Sequence, residues 1–341
     1  MGVQITDLLI RRAIGIEDLR GKKLAVDAFN TIYQFLTTIR QRDGTPLMDS
    51  TGNITSHLAG LFNRTTKLMS YDIKLCFVFD GIPPKLKEME SKRRREIKEE
   101  ARIRHRAAVE KEDIEEMKKY AARTAFLTDE MIKESKELIQ ALGLPVVQAP
   151  SEGEAQAAKM VQRGDAWAVV SQDTDSLVFG ADRLIRNLSI SGRRKTGRLG
   201  YETVQPEIVE LKENLDNMKI THDQLIALAM LVGTDYNPGG VKGIGPKKGL
   251  KLVREYGNDF GKMFSDAGWD FPFSWAEVFD VIRKMPVKTD YDLDWKEINS
   301  DKVIEILCSR HNFSSERILK KIEDLQTEKS KKKQKGLSEW F

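Results

Sequence analysis

Cysteine is nearly absent from this chain: Cys76 and Cys308 are its only two in 341 residues, and no metal-ligand spacing surrounds them. A disulfide scaffold is thereby excluded, and both read as buried free thiols of a reducing compartment. Histidine is also scarce, and His57, His105, His222 and His311 form no HExxH or comparable pattern, which removes the usual zinc hydrolases. No Ser or Cys nucleophile has a plausible His partner, so a serine or thiol hydrolase is disfavoured. No apolar run approaches the ~18 residues of a membrane span. The N-terminus lacks a basic stretch followed by an apolar one, so it does not read as a signal peptide. It does match the short myristoylation pattern Met-Gly-x-x-x-Thr at Gly2 and Thr6, but no polybasic or second acyl signal adjoins it.

Neither charge nor apolar residues are in short supply. Apolar residues make up 40% and charged residues 32%, too apolar for a disordered chain. The length suits two domains, or one large domain with an appendage. The net charge of +4 hides a segregation. Residues 85–106, 183–198, 242–254 and 326–341 together carry +19, which leaves −15 on the other 274 residues. A basic surface and an acidic site can therefore coexist.

Short apolar runs alternate with helical segments. Lys22–Phe29, Lys74–Asp80, Leu144–Gln148 and Ala166–Ser171 read as strands, with Leu184–Ile190 as a fifth. The alternation predicts an α/β fold with a mostly parallel sheet buried on both faces. Thr128 caps a helix that ends at Gly143; Thr221 and Gln224 form a capping box before LIALAMLV; Ser300 and Ser314 start two C-terminal helices. Residues 85–127 carry only a thin apolar stripe (Ile97, Ala101, Ile103, Ala107, Ile114, Met117), so these helices should project from the sheet. The lysine-rich tail from Lys329 is expected to be disordered when free.

Acids stand where the strands end. Asp27 ends the first, Asp80 the second, Glu152 and Glu154 follow the third, and Asp173 and Asp175 the fourth; Asp235 follows the apolar helix. In a parallel sheet the C-terminal strand ends share one edge, where sites form. So many carboxylates repel one another unless compensated, and an all-oxygen set favours Mg²⁺ or Mn²⁺ over zinc. Taken singly, each acid has a plainer reading. Ser151 and Glu154 also spell a capping box, and Glu152 and Glu154 would point apart on a regular helix. Asp27 could cap the next helix, and Asp80 and Asp175 could be turn residues. The residues alone favour the cap for Glu154; their shared placement favours a joint site.

Gly243-Ile-Gly-Pro-Lys-Lys-Gly249 misses both the P-loop and the dinucleotide fingerprint, since Pro246 stands where the P-loop needs Lys and no strand leads in. It follows one helix and opens another at Pro246, which describes a helix–hairpin–helix. Gly243 and Gly245 would let a DNA phosphate approach the backbone amides, with Lys242, Lys247, Lys248 and Lys251 adding charge. The alternative is a glycine-rich turn with solvated lysines.

VDAFNTIYQF, FVFDGIPPKLK, PSEGEAQAA, SQDTDSLVFG and LVGTDYNPGGVKGIGPKKG resemble, in order and spacing, the flap endonuclease family of structure-specific 5′ nucleases, and the resemblance covers the whole chain. It implies a PIN-like nuclease core with a helical arch, a helix–hairpin–helix and two divalent ions: Mg²⁺, with Mn²⁺ able to substitute. It assigns Asp27, Asp80, Glu152 and Glu154 to one ion. It assigns Asp173, Asp175 and Asp235 to the other, partly through water. Segment 85–127 resembles the arch that admits a single-stranded 5′ flap, with Lys87 and Arg94 acting on the scissile phosphate. Tyr33 matches a residue that stacks on a base near the cut, and Gly2 one that tucks beside the site once Met1 is removed. The hairpin at 240–249 resembles the element that holds downstream duplex with a monovalent cation.

Gln334, Leu337, Trp340 and Phe341 are similar to a sliding-clamp (PCNA) box; Trp340 replaces the more usual Phe. The resemblance divides the chain into one nuclease domain, 1–325, and a flexible basic tail, 326–341. Within the domain it sets 1–84 and 128–235 as nuclease regions, 85–127 as arch, 236–260 as hairpin element and 261–325 as C-terminal helices. It further implies 5′ flap endonuclease and 5′–3′ exonuclease activity on branched DNA in replication and repair, and a monomer of archaeal, cytoplasmic and nucleoid-associated type. For the island at 183–198 there are two readings, phosphate contact or a solvated turn at Arg193, Arg194 and Lys195. A bubble or junction endonuclease, a PIN-domain ribonuclease, or a clamp-tethered binding module are the other readings.

Overall fold

Strand alternation sets the architecture. In the computed structural model, β1 (Arg12–Ala13) precedes β2 (Lys23–Asp27), β3 (Lys74–Phe79), β4 (Val146–Gln148), β5 (Ala168–Val170), β6 (Arg183–Arg186), β7 (Gly192–Thr196), β8 (Gly200–Val204) and β9 (Glu207–Glu210). The described residues are 3–41, 44–88, 90, 92–93, 96–97, 99–100, 103–104, 126–188, 192–196 and 200–338. One sheet runs β1-β9-β6-β5-β2-β3-β4. From β6 to β4 it is parallel, and β9 and β1 add antiparallel strands at one edge. Along β3, Cys76 and Val78 face one core while Leu75, Phe77 and Phe79 face the other. That is the two-sided burial expected of parallel strands read as continuous apolar runs.

Helices cover both faces. Against one pack α1 (Ala28–Thr38), α2 (Ser56–Ser70) and α3 (Asp129–Ala141); against the other pack α4 (Gly153–Gln162) and, beyond the short α5 (Asp175–Val178) and α6 (Leu211–Met218), α7 (His222–Val232). Every residue of α7 from Leu225 to Leu231 is buried, as a helix apolar on all sides requires. The expected caps are present. Thr128 accepts from the Met131 amide at 3.2 Å, and Thr221 and Gln224 exchange both bonds of a capping box. Gly143, just past α3, has φ +76, the left-handed conformation glycine takes without a side-chain clash. α8 (Pro246–Tyr256), α9 (Phe260–Ala267), α10 (Trp275–Arg283), α11 (Ser300–Ile304) and α12 (Ser315–Ser338) complete the chain.

Several expectations need correction. α11 does begin at Ser300 as expected, with Asn299 as its N-cap. The fifth parallel strand stops at Arg186, and Arg193, Arg194 and Lys195 lie in β7, paired with β8, rather than in a turn. Cys308 is half-buried, in a π-helical stretch. The backbone from Lys329 to Ser338 is part of α12, and its Lys, Gln and Leu are strong helix formers. Of the thin stripe, Ile97 and Ile103 are helical and strongly exposed, which fits projection; Ala101, Ala107, Ile114 and Met117 lie outside the described residues.

Candidate active site

The parallel strands run outward from β2 in both directions, so strand order reverses between β2 and β5. A crevice opens at such a switch point, because the connections on either side leave in opposite directions. Asp27, the last residue of β2, and Asp173, three residues past β5, flank this point. Asp80 follows β3 directly, Glu152 and Glu154 flank the start of α4, and Asp175 opens α5. Asp235 comes from the turn after α7, held by Thr234 and Asn237, whose side chains bond at 2.6 Å. Val3, Lys87, Glu152, Glu154, Asp175 and Asp235 line one narrow cleft.

The plain and the functional readings of these acids coexist in some cases and separate in others. Asp27 does cap α1, accepting from the Asn30 amide at 3.0 Å, while its other oxygen accepts from Ser171 Oγ at 3.0 Å. The Ser151–Glu154 capping box does not form: Ser151 Oγ donates instead to the Ile82 carbonyl at 2.9 Å. Glu152 is itself the N-cap residue, with extended backbone (φ −71, ψ 127). It therefore lies outside the helix, and the geometric objection to Glu152 and Glu154 sharing a site is removed. Asp80 Oδ1 accepts from the Gly153 amide at 2.7 Å, and Asp175 Oδ1 from the Val3 amide at 2.6 Å.

Burial raises four of these acids, and their mutual repulsion raises them further. Asp27 is pushed up to about 7, first by burial and then by the charges of Asp80 and Asp173. Asp80 rises to about 6 by burial and Glu152, and Asp175 to about 7 by burial and Asp173. Glu154 is held well above the carboxylate range by burial, Asp175 and Asp27. Lys87 moves the other way. Burial would lower it, but Glu152, Glu154 and Asp235 outweigh burial and hold the ammonium above its ordinary value. Its Nζ lies 2.5 Å from Glu152 Oε2 and 3.2 Å from Asp235 Oδ2. Lys87 thus ties an acid expected at one cation to an acid expected at the other.

Among the described residues no three acids or histidines are gathered into a finished ligand shell. The donor chemistry still fits hard divalent cations, since it is all carboxylate oxygen and four of the acids resist ionisation until positive charge compensates them.

The remaining expected site residues divide. Lys242, Lys247, Lys248 and Lys251 are all exposed, at the mouth of a helix–hairpin–helix formed by α7 and α8. Gly243 has φ +77, and open space lies beside both it and Gly245, so the backbone is bare there. Gly240 and Gly249 serve packing: a Cβ on Gly240 would meet the Val232 backbone at 2.3 Å, and one on Gly249 would meet Leu228. Tyr33 is half-buried on α1 and does not line the acidic cleft. Gln334 and Leu337 fall in the α12 backbone. Gly2, Arg94, Trp340 and Phe341 lie outside the described residues. Residue types alone do not mark Asn30, Gly153 or Ser171, though each touches a site acid. The glycine between two glutamates is the one signal that could have been used.

Comparisons with known proteins agree with this geometry. The XPG N-terminal domain model matches residues 1–101 and the XPG I-region model residues 143–235. The chain is 51% identical to flap endonuclease 1 of Pyrococcus horikoshii, over 100% of this chain and 98% of that protein. It is 49% identical to flap endonuclease 1 of Staphylothermus marinus over the whole of both. Among solved structures it is similar to flap endonuclease-1 from Methanococcus jannaschii, with TM-score 0.76, 42% identity, 97% of this chain and 100% of that one. It also resembles the catalytic core of Rad2 in complex with DNA substrate, with TM-score 0.67, 25% identity, 94% of this chain and 97% of that one.

Proposed function

The chain belongs to the flap endonuclease family, and from that membership and its carboxylate cluster we infer that it is a structure-specific 5′ flap endonuclease, with 5′–3′ exonuclease activity, acting in DNA replication and repair. The observation that carries this reading is the convergence of acids from four strand ends and the α7 turn around Lys87. Two divalent cations, Mg²⁺ with Mn²⁺ as substitute, would supply Lewis acidity for phosphodiester hydrolysis when bound. Asp27, Asp80, Glu152 and Glu154 would hold one, and Asp173, Asp175 and Asp235 the other. Protein donors fix these acids beforehand: the Gly153 and Val3 amides, Ser171 Oγ and the Asn30 side chain each occupy a carboxylate oxygen. Lys87, paired here with Glu152 and Asp235, would be the side chain of this cleft able to turn to the scissile phosphate.

Specificity comes from shape. The bare backbone at Gly243 and Gly245 and the four exposed lysines suit duplex phosphates rather than base edges, with a monovalent cation assisting at the hairpin. Residues 85–127, Arg94 among them, admit single strand, and Tyr33 meets a base near the cut. Gln334, Leu337, Trp340 and Phe341 dock on a sliding clamp.

The test is cleavage of end-labelled flap, bubble, nick and junction substrates with Mg²⁺. Asp80→Ala and Asp173→Ala should abolish cutting while leaving flap binding measurable. Near wild-type cutting by either variant, or a preference for bubbles or junctions over flaps, would overturn the reading.

A further inference from the structure

Asn30 makes contacts that no helix cap explains. Its backbone amide caps α1 through Asp27 Oδ1, but its side chain reaches across the switch point to the loop after β5. There Nδ2 donates to Asp173 Oδ2 at 3.0 Å, and Oδ1 accepts from the Gln172 amide at 3.2 Å. The Gln172 N–H requires an oxygen, so the orientation of the side-chain amide is fixed and its NH₂ must face Asp173. Ser171 completes the link from the other strand. Its hydroxyl donates to Asp27 Oδ2 at 3.0 Å and accepts from the Asp173 amide at 3.2 Å. Two residues 141 positions apart in the chain therefore each touch both Asp27 and the Asp173 loop. Arg186 Nε donates to the Gln172 carbonyl at 3.1 Å and steadies the same loop.

We propose that Asn30, with Ser171, is a positioning residue that sets the orientation of Asp173 against Asp27, and so the spacing of the two cation sites. The inference rests on the metal-site reading given above. Its chemistry is specific to a neutral donor. Asp27 and Asp173 repel each other, and an ammonium placed between them would relieve the repulsion but compete with the cation. A side-chain amide holds the Asp173 carboxylate with a hydrogen bond and adds no net charge. Aspartate at position 30 would lose the donor and set a third carboxylate against the pair. Leucine would keep the bulk and lose both bonds. Partners that orient ligating carboxylates are worth about 10–100-fold in metal affinity or activity.

The experiment uses the full chain and the variants Asn30→Ala, Asn30→Leu and Ser171→Ala, with Asp173→Asn as reference. Mn²⁺ binding is read directly from the electron paramagnetic resonance of free Mn²⁺. Flap cleavage is titrated with Mg²⁺, flap affinity is measured separately, and melting is followed without metal. The Asn30 variants should weaken Mn²⁺ binding and raise the Mg²⁺ half-saturation by about 10–100-fold, with flap affinity and the melting transition unchanged. If the Asn30 variants lose their melting transition, Ser171→Ala carries the test, because it removes only the hydroxyl's bonds. Wild-type Mn²⁺ binding and Mg²⁺ titration in the folded variants overturn the positioning role. Unchanged Mn²⁺ binding in Asp173→Asn overturns the metal-site reading beneath it.

Discussion

Replacing Lys87 by methionine keeps the aliphatic stem and removes the charge. Lys87 is 16% exposed at its side chain, Glu152 4% and Asp235 14%, so the group is largely desolvated. At separations near 3 Å and an effective dielectric of 20, each contact has a gross Coulomb energy of about 5 kcal/mol. Most of that offsets desolvation, and removing one partner of a buried pair costs about 3–5 kcal/mol because the other charges are left uncompensated. Lys87→Met should therefore destabilise the metal-free protein by about 3–5 kcal/mol. In excess Mg²⁺ the cations compensate the same acids, and the deficit should shrink to within about 1 kcal/mol, the scale of an exposed pair. The assay is urea unfolding of wild type and variant, each in EDTA and in Mg²⁺. Cleavage of a flap substrate by the variant should stay low even at saturating metal, because the cation cannot replace the ammonium at the phosphate. Equal destabilisation with and without Mg²⁺ would show that Lys87 stabilises the fold generally and does not stand in for the cations.

Three other changes test separate parts of the site and the scaffold. Gly153→Ala puts a Cβ 2.5 Å from Asp80 Oδ1; displacing that carboxylate should cut cleavage about 10–100-fold with melting little changed, and a fully active variant would show the close approach to be dispensable. His57 is pushed down to about 3 by burial and by His311, and neither ring nitrogen has a hydrogen-bond partner among the described residues. Its folded pKa lies below the unfolded value, so its share of stability is complete above pH ~6.5 and is lost as pH falls from there toward 3. His57→Leu should raise the urea midpoint by about 1 kcal/mol equivalent and flatten that acid limb; an unchanged pH profile would count against the buried neutral imidazole. Deleting residues 334–341 should abolish stimulation by a sliding clamp and spare clamp-free cleavage, and equal stimulation of the truncated chain would remove the box.

The strands were legible because burial on both faces leaves continuous apolar runs such as KLCFVF, and the acids were legible because topology puts strand ends on one edge. β1 and β9 were not, since two residues carry no period and Glu-Ile-Val-Glu is too short to show one. Helix caps were read correctly at Thr128 and Thr221, where the signal is local, and wrongly at Ser151, where a tertiary bond to the Ile82 carbonyl competes for the hydroxyl. Asn30, Ser171 and Gly153 were missed for the same reason: their roles are set by distances between chain segments 73–144 residues apart. The cluster in which His311 joins Asp49 at 2.9 Å and Glu134 at 2.7 Å leaves no spacing signature at all.

The site holds its acids by two different means. On one flank the donors are neutral: the Asn30 amide, Ser171 Oγ and the Gly153 and Val3 backbone. They orient the carboxylates without adding net charge to the cleft. On the other flank the donor is Lys87, an ammonium at the start of the basic segment 85–106. It compensates Glu152 and Asp235, the two acids it pairs with. The start of the basic segment is thereby joined to the acidic cleft through a charge pair, and Lys87→Met is the change that separates them.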